Sequence, residues 1–185
     1  MLKKVLVANR GEIACRAIRT CRDLGIKSVA VYSVADKESL HVQLADEAYC
    51  IGSAQAKKSY LDIPSLLTVA KACGADAVYP GYGFLAENAG FADACVNAGL
   101  VFIGPPSEAI EKMGDKAIAR KTMQEAGVSI VPGTKDLIED EEEARKIADS
   151  IGYPVLIKAT AGGGGKGMRV VESSSELLKA LRQAA

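Results

Sequence analysis

Apolar residues gather into five short runs along the first hundred positions, at residues 4 to 8, 28 to 32, 48 to 51, 76 to 79 and 100 to 103. Each run is bounded by stretches with helical patterns, and this alternation predicts strands of a parallel α/β sheet covered by helices. In the first such stretch Ile13, Ala14, Ala17, Ile18 and Cys21 share one side of a helix, with Arg16, Arg19 and Arg22 turned away and Gly25 at the stop. Ile63, Leu66, Leu67 and Ala70 mark another helix, and Phe91, Ala92 and Cys95 a further one. The three arginines read as a solvated face, with a subunit contact as the alternative.

Past the fifth run, Gly104-Pro105-Pro106 punctuates the sheet and opens a helical linker, Ser107 to Met113 followed by Lys116 to Glu125. Asp115 is placed to cap the second of these helices, and Lys116 falls in its first turn. A cation there opposes the positive end of the helix dipole, and an anion bound at the helix start would reverse that sign. An exposed lysine is the plainer reading. Asp140 followed by Glu143 has the form of a capping box, so the acidic run needs no functional explanation. Two strand-like segments and a helix carrying Leu177, Leu178 and Leu181 complete the pattern. The expected organisation is a parallel α/β domain over residues 1–103, a helical linker over 104–130 and a second unit over 131–185. A lone hairpin with two helices is marginal by itself, so the chain is expected to stop in mid-domain.

Composition narrows the classes. With 185 residues, 49% of them hydrophobic, the chain is long enough to bury a sizeable core. Lys plus Arg and Asp plus Glu number 23 each, which leaves no broad basic footprint and argues against nucleic acid as a partner. Cys15, Cys21, Cys50, Cys73 and Cys95 lack C-x-x-C spacing and read as buried thiols of a reducing cytosol. The apolar run Val5 to Ala8 is too short for a signal peptide, and no segment has the length of a membrane span, so a soluble cytoplasmic or organellar protein without a membrane partner is expected. His41, the only histidine, has no partner at ligand spacing. No catalytic triad or metal cluster can be assembled, so no catalytic or metal-ligating residue is assigned.

Chemistry concentrates between the last two strand-like segments. Tyr153 to Ala159 and Met168 to Val171 are strand-like, and between them stand four successive glycines, 162 to 165, with Lys158 and Lys166 at either end. Without Cβ atoms such glycines can turn several N–H groups toward one anion, and the lysines add compact positive charge. The loop is expected to act as a lid, mobile until a ligand holds it. Gly162, Gly164 and Gly167 match G-x-G-x-x-G, but a strand rather than a helix follows. A Walker A loop fails because Thr160 and Gly167 stand where it needs glycine and Ser/Thr. A kinase loop fails because Lys158 precedes the glycines and no H-R-D or D-F-G follows. A flexible linker is the bland alternative, which the strand flanks argue against.

Tyr79-Pro80-Gly81-Tyr82-Gly83-Phe84-Leu85-Ala86-Glu87-Asn88 follows the fourth strand, at the carboxyl end where open parallel sheets place ligands. Two glycines and two further tyrosine-bearing positions exceed what a connection requires, although a structural turn capped by Glu87-Asn88 is the alternative.

Taken together, Val7-Ala8-Asn9-Arg10-Gly11-Glu12-Ile13-Ala14, Pro80 to Leu85, Phe102-Ile103-Gly104-Pro105, Met113-Gly114-Asp115-Lys116 and Lys158 to Met168 resemble, in order and spacing, the amino-terminal part of biotin carboxylases. These are the ATP-grasp components of acetyl-CoA, pyruvate and propionyl-CoA carboxylases. The resemblance implies a Rossmann-like parallel sheet as the pre-ATP-grasp domain, a helical linker and an incomplete ATP-grasp B subdomain carrying the lid. It implies that Lys116 and Lys158 contact nucleotide phosphates or the adenine edge, that Gly164 and Gly165 lie over the phosphates, and that Met168 lines the adenine pocket. Tyr82 and Gly83 fall where biotin approaches. ATP, Mg2+ and biotin on a carrier protein or domain are the implied cofactors and substrates, with the carboxyltransferase component and a second copy as partners. Magnesium, bicarbonate and catalytic groups are implied to lie beyond Ala185, in the remainder of the enzyme. Tyr79 departs from the family, which more often has histidine there. Rival readings are a non-catalytic binding or assembly module and a fragment of another ATP-grasp ligase.

Overall fold

The computed structural model describes residues 1–131, 138, 140–158 and 168–184. The glycine run with Gly164, Gly165 and Lys166 lies outside them, as does the side chain of Lys116. The chain divides into two compact units, Met1–Asp115 and Lys116–Ala185.

In the first unit the apolar runs become β1 (Lys4–Val7), β2 (Lys27–Ser33), β3 (Glu47–Gly52), β4 (Ala77–Tyr79) and β5 (Val101–Phe102). They form one parallel sheet in the order β3-β2-β1-β4-β5, with Val5 of β1 opposite Ser28 on one side and Ala77 on the other. The chain thus winds outward from β1 through β2 to β3, then returns past β1 to lay down β4 and β5. That reversal opens a crevice at the carboxyl ends of β1 and β4, the place where open α/β sheets bind ligands.

Helices α1 (Gly11–Asp23), α2 (Leu40–Leu44), α3 (Ile63–Ala72), α4 (Ala89–Asn97) and α5 (Ser107–Gly114) accompany the sheet. Because successive strand side chains alternate in direction, β1 feeds two cores. Val7 packs with Ala30 of β2 and with Ala14 and Ile18 of α1. Leu6 packs on the opposite face with Val29, Val31 and Val78, and with Leu66 and Ala70 of α3 and Phe91 and Cys95 of α4. The edge of Phe91 meets the Phe102 ring, centroids 5.9 Å apart. Arg16, Arg19 and Arg22 are exposed, and Arg22 donates to the Leu44 carbonyl at 2.9 Å.

Four of the cysteines are buried as expected, but Cys50 is exposed. It lies on β3, an edge strand with no neighbour in the sheet on its outer side. His41 is 1% exposed on α2, and its Nε2 lies 3.2 Å from the Val31 carbonyl, which makes it the protonated nitrogen. Burial lowers its pKa, so it is neutral at pH 7, and Nδ1 has no partner among the described residues.

The second unit holds α6 (Lys116–Glu125), α7 (Glu141–Ile151), β6 (Val155–Lys158), β7 (Met168–Val171) and α8 (Ser174–Ala184). Asp140 caps α7, accepting from the amides of Glu142 and Glu143 at 3.1 and 3.3 Å. Strands β6 and β7 pair antiparallel. One face of this hairpin packs Val155, Ile157 and Val171 against Ala148 of α7 and Leu177, Ala180 and Leu181 of α8. Arg182 ties α8 to Glu141 through two contacts of 3.0 and 3.4 Å.

Candidate functional site

At the carboxyl end of β1 the chain turns into α1 through Asn9 and Arg10. Asn9 is 3% exposed, and its amide nitrogen donates to the carbonyls of Pro80 and Tyr82, each at 2.8 Å. Its oxygen accepts from the Arg10 amide at 2.8 Å. The ladder between β1 and β4 is extended by the Ala8 amide bonding the Tyr79 carbonyl at 2.8 Å, so both segments leave the sheet side by side. Between the two carbonyls held by Asn9 stands Gly81, at φ +68°. A Cβ there would lie 3.0 Å from Ile13 Cγ1 and 3.1 Å from Asn9 Nδ2, so both conformation and space select glycine.

Arg10 reaches across the same end of the sheet. Its guanidinium lies 5.2 Å from the Tyr60 ring centre and 5.5 Å from that of Phe84, and those rings stack at 4.9 Å. It also pairs with Asp36 at 3.0 Å. Asp36 Oδ2 further accepts the Tyr60 hydroxyl at 2.7 Å and the Ser33 hydroxyl at 2.6 Å. Burial pushes the Asp36 carboxyl up, but the hydrogen bonds from Ser33, Tyr60 and Arg10 outweigh it and hold the group below its ordinary value. Burial pushes the Tyr60 phenol up to about 12. Phe84 has φ 41°, an unusual backbone for a residue with a side chain. Its ring lies against Tyr60 and under the Arg10 guanidinium.

Above this seat, Tyr82 is 59% exposed and its hydroxyl donates to Glu12, in the first turn of α1. Gly83 beside it is exposed. Asn88 closes the loop by capping α4, accepting from the Phe91 amide at 2.8 Å. The loop therefore combines a structural cap at one end with an open aromatic group at the other.

A second surface lies in the other unit. Lys158 and Met168 face each other across the β6–β7 register, and Leu156 faces Val170 two pairs further on, on the same face. All four are exposed, so the hairpin presents an apolar face with a lysine at its loop end. Such a face can pack a planar base while the ammonium meets an anion. Lys116 begins α6. Among the described residues no three His, Cys, Asp or Glu side chains gather as metal ligands, and no helix is long and apolar enough to cross a membrane.

The sequence reading placed Tyr82, Gly83, Lys158 and Met168, and the structure brings them together as two pairs. It did not anticipate Asp36 and Tyr60, which lie 24 residues apart and carry no local signal.

Residues 1–110 match the family model "Biotin carboxylase, N-terminal domain", and residues 115–185 match "Carbamoyl-phosphate synthase L chain, ATP binding domain". Biotin carboxylase 1 of Bacillus subtilis (strain 168) is 59% identical over 182 residues, 98% of this chain and 40% of that protein. The crystal structure of a Campylobacter jejuni biotin carboxylase complexed with β,γ-ATP is 49% identical, with a TM-score of 0.85, covering 100% of this chain and 41% of that one. The biotin carboxylase domain dimer of Hydrogenobacter thermophilus 2-oxoglutarate carboxylase, in complex with MgADP, ADP and bicarbonate, is 51% identical with a TM-score of 0.83, covering 100% of this chain and 40% of that one. The chain thus spans about 40% of the length of each of these three relatives.

Proposed function

Because this chain belongs to the biotin carboxylase family, we propose that it forms the amino-terminal part of an enzyme that carboxylates biotin with bicarbonate and MgATP by way of carboxyphosphate. The observation that carries the nucleotide half of this reading is the pairing of Lys158 with Met168 on the exposed face of the β6–β7 hairpin. Met168, with Leu156 and Val170 beside it, offers the adenine ring an apolar bed, and Lys158 holds charge against the phosphates or the adenine edge. Lys116 adds a second cation, and the amides of Gly164 and Gly165 close over the phosphates, excluding water from a labile intermediate. Tyr82 and Gly83 meet biotin on the other unit. Bound Mg2+ offsets phosphate charge, and its ligands belong to the remainder of the enzyme.

In domain terms, residues 1–103 are the amino-terminal domain, 104–130 a helical linker and 131–185 the start of the ATP-grasp B subdomain. The partners are the remaining biotin carboxylase segment, a biotin carrier protein or domain, a carboxyltransferase component and a second copy of the subunit, in the cytoplasm or an organelle. Similarity of residues 115–185 to the carbamoyl-phosphate synthase ATP-binding family supports ATP use but suits other ligases as well.

Release of ADP with MgATP, bicarbonate and free biotin tests the reading, on this chain and on a longer product of the same reading frame. Turnover only by the longer product, requiring both cosubstrates, is expected. Turnover independent of biotin favours another ligase, and turnover by the short chain refutes the claim that essential groups lie beyond Ala185. In the longer product Lys158→Ala should raise the KM for ATP at least tenfold, about 1.4 kcal/mol of lost binding; unchanged ATP saturation removes Lys158 from the site.

A further inference from the structure

We propose that Asn9 is a positioning residue for biotin: through its carboxamide the turn after β1 sets the backbone of the Tyr79–Asn88 loop, and with it the placement of Tyr82 and Gly83. The proposal rests on the reading of those two residues as biotin-proximal.

A buried carboxamide is tolerated only when its donors and acceptor are satisfied, and every role of this one is filled by the turn and the loop. Both donors go to carbonyls of the loop, those of Pro80 and Tyr82, and the acceptor takes the next amide of its own turn. Two carbonyls on one nitrogen also fix which end of the amide faces the loop. These carbonyls flank Gly81, so a single side chain pins a stretch of backbone that lies in neither helix nor strand.

Pinning matters because the loop combines glycines free to take many conformations with one residue, Phe84, held in an unfavourable one. Gly81, Gly83 and Phe84 have φ of 68°, 67° and 41° within four residues, and the last of these bears a side chain. Such a conformation persists only where surrounding contacts over-determine it. Arg10 and Tyr60 hold the Phe84 ring, Glu12 holds the Tyr82 hydroxyl, and Asn9 holds the main chain between them. Asn9 reaches no exposed surface, so its influence on a ligand passes through the loop.

Aspartate at position 9 keeps the shape but offers acceptors to two carbonyls, which reverses both hydrogen bonds into repulsions. In the longer product of the same reading frame, Asn9→Asp is expected to raise the KM for free biotin about tenfold while moving the KM for ATP less than twofold. Hydrogen exchange of peptides spanning residues 80–87 should quicken while that of β1 and β2 stays as in the parent. Tyr82→Ala serves as the control on the biotin-side reading. If Tyr82→Ala raises the KM for biotin and Asn9→Asp does not, the positioning role is wrong and the reading of the loop stands. If neither moves it, the biotin-side reading fails and the proposal with it. Equal losses for ATP and biotin on Asn9→Asp mark a general structural role and also overturn it. Should Asn9→Asp not fold, Gly81→Ala crowds the same carboxamide from the loop side. The same split between biotin and ATP is then required, and its absence refutes the proposal.

Discussion

Arg10, Asp36 and Tyr60 show how a few residues set the chemistry of one end of a sheet. Asp36 keeps its charge because three donors converge on it, so its carboxyl titrates lower in the folded chain than in the unfolded one. Below the unfolded value the unfolded chain binds the extra proton, so this contribution is present above about pH 4 and is lost as pH falls through the lower folded value. Asp46 acts in the same sense, held at about 2 by Lys27 and then by Ser28. The thermal midpoint is therefore expected to fall as pH drops from about 5 toward 3. Asp36→Asn should flatten that slope; an unchanged slope, followed by circular dichroism, assigns it to other groups. Little of this network was legible beforehand. Lys158 stood out because it ends a strand-like segment beside a glycine run, and Met168 through family likeness, whereas Asp36 and Tyr60 meet only once β3 has been laid beside β2. Asn9 and Arg10 were noticed through family likeness alone, and no periodicity marks a buried asparagine.

The elements were far easier to read, since each apolar run of the first hundred residues became a strand of the parallel sheet. What escaped was short or tertiary. Helix α2 spans five residues, too few to show a helical period, and the burial of His41 on it follows from packing beneath β2. Exposure of Cys50 follows from strand order, which the pattern of one strand does not contain. Phe91 is fully buried between α4 and the sheet, so Phe91→Ala should cost about 3–5 kcal/mol in urea unfolding, and a loss below about 1 kcal/mol would contradict the packing described. Gly52 ends β3 at φ 138°, where a Cβ would stand 2.0 Å from the Lys58 carbonyl oxygen. Backbone cannot yield as a side-chain tip can, so Gly52→Ala should cost about 3 kcal/mol by the same measurement.

On the scale of the whole molecule, burial is uneven. The first unit owns both faces of a sheet, while the second rests on Ala148, Val171, Leu177 and Ala180 with a few half-buried neighbours. Protection against amide hydrogen exchange should follow the same division, with β1 and β2 exchanging orders of magnitude more slowly than β6 and β7. Equal protection, read residue by residue by NMR, would mean that the smaller core is stronger than its buried side chains allow. In the sequence only two strand-like segments follow the linker, against five before it. The contacts that seat the Tyr79–Asn88 loop carry a consequence in time. Asn9 meets Pro80 and Tyr82 across 71 and 73 positions of chain, and Tyr82 meets Glu12 across 70. A ribosome must release the first strand and more than two further turns of the winding before any of these bonds can close, and closing so long a loop carries a large entropic barrier. The aromatic rim of this crevice therefore cannot form before β4 and the residues after it have been made, and an arrested chain ending before residue 80 would own the strand but not the rim.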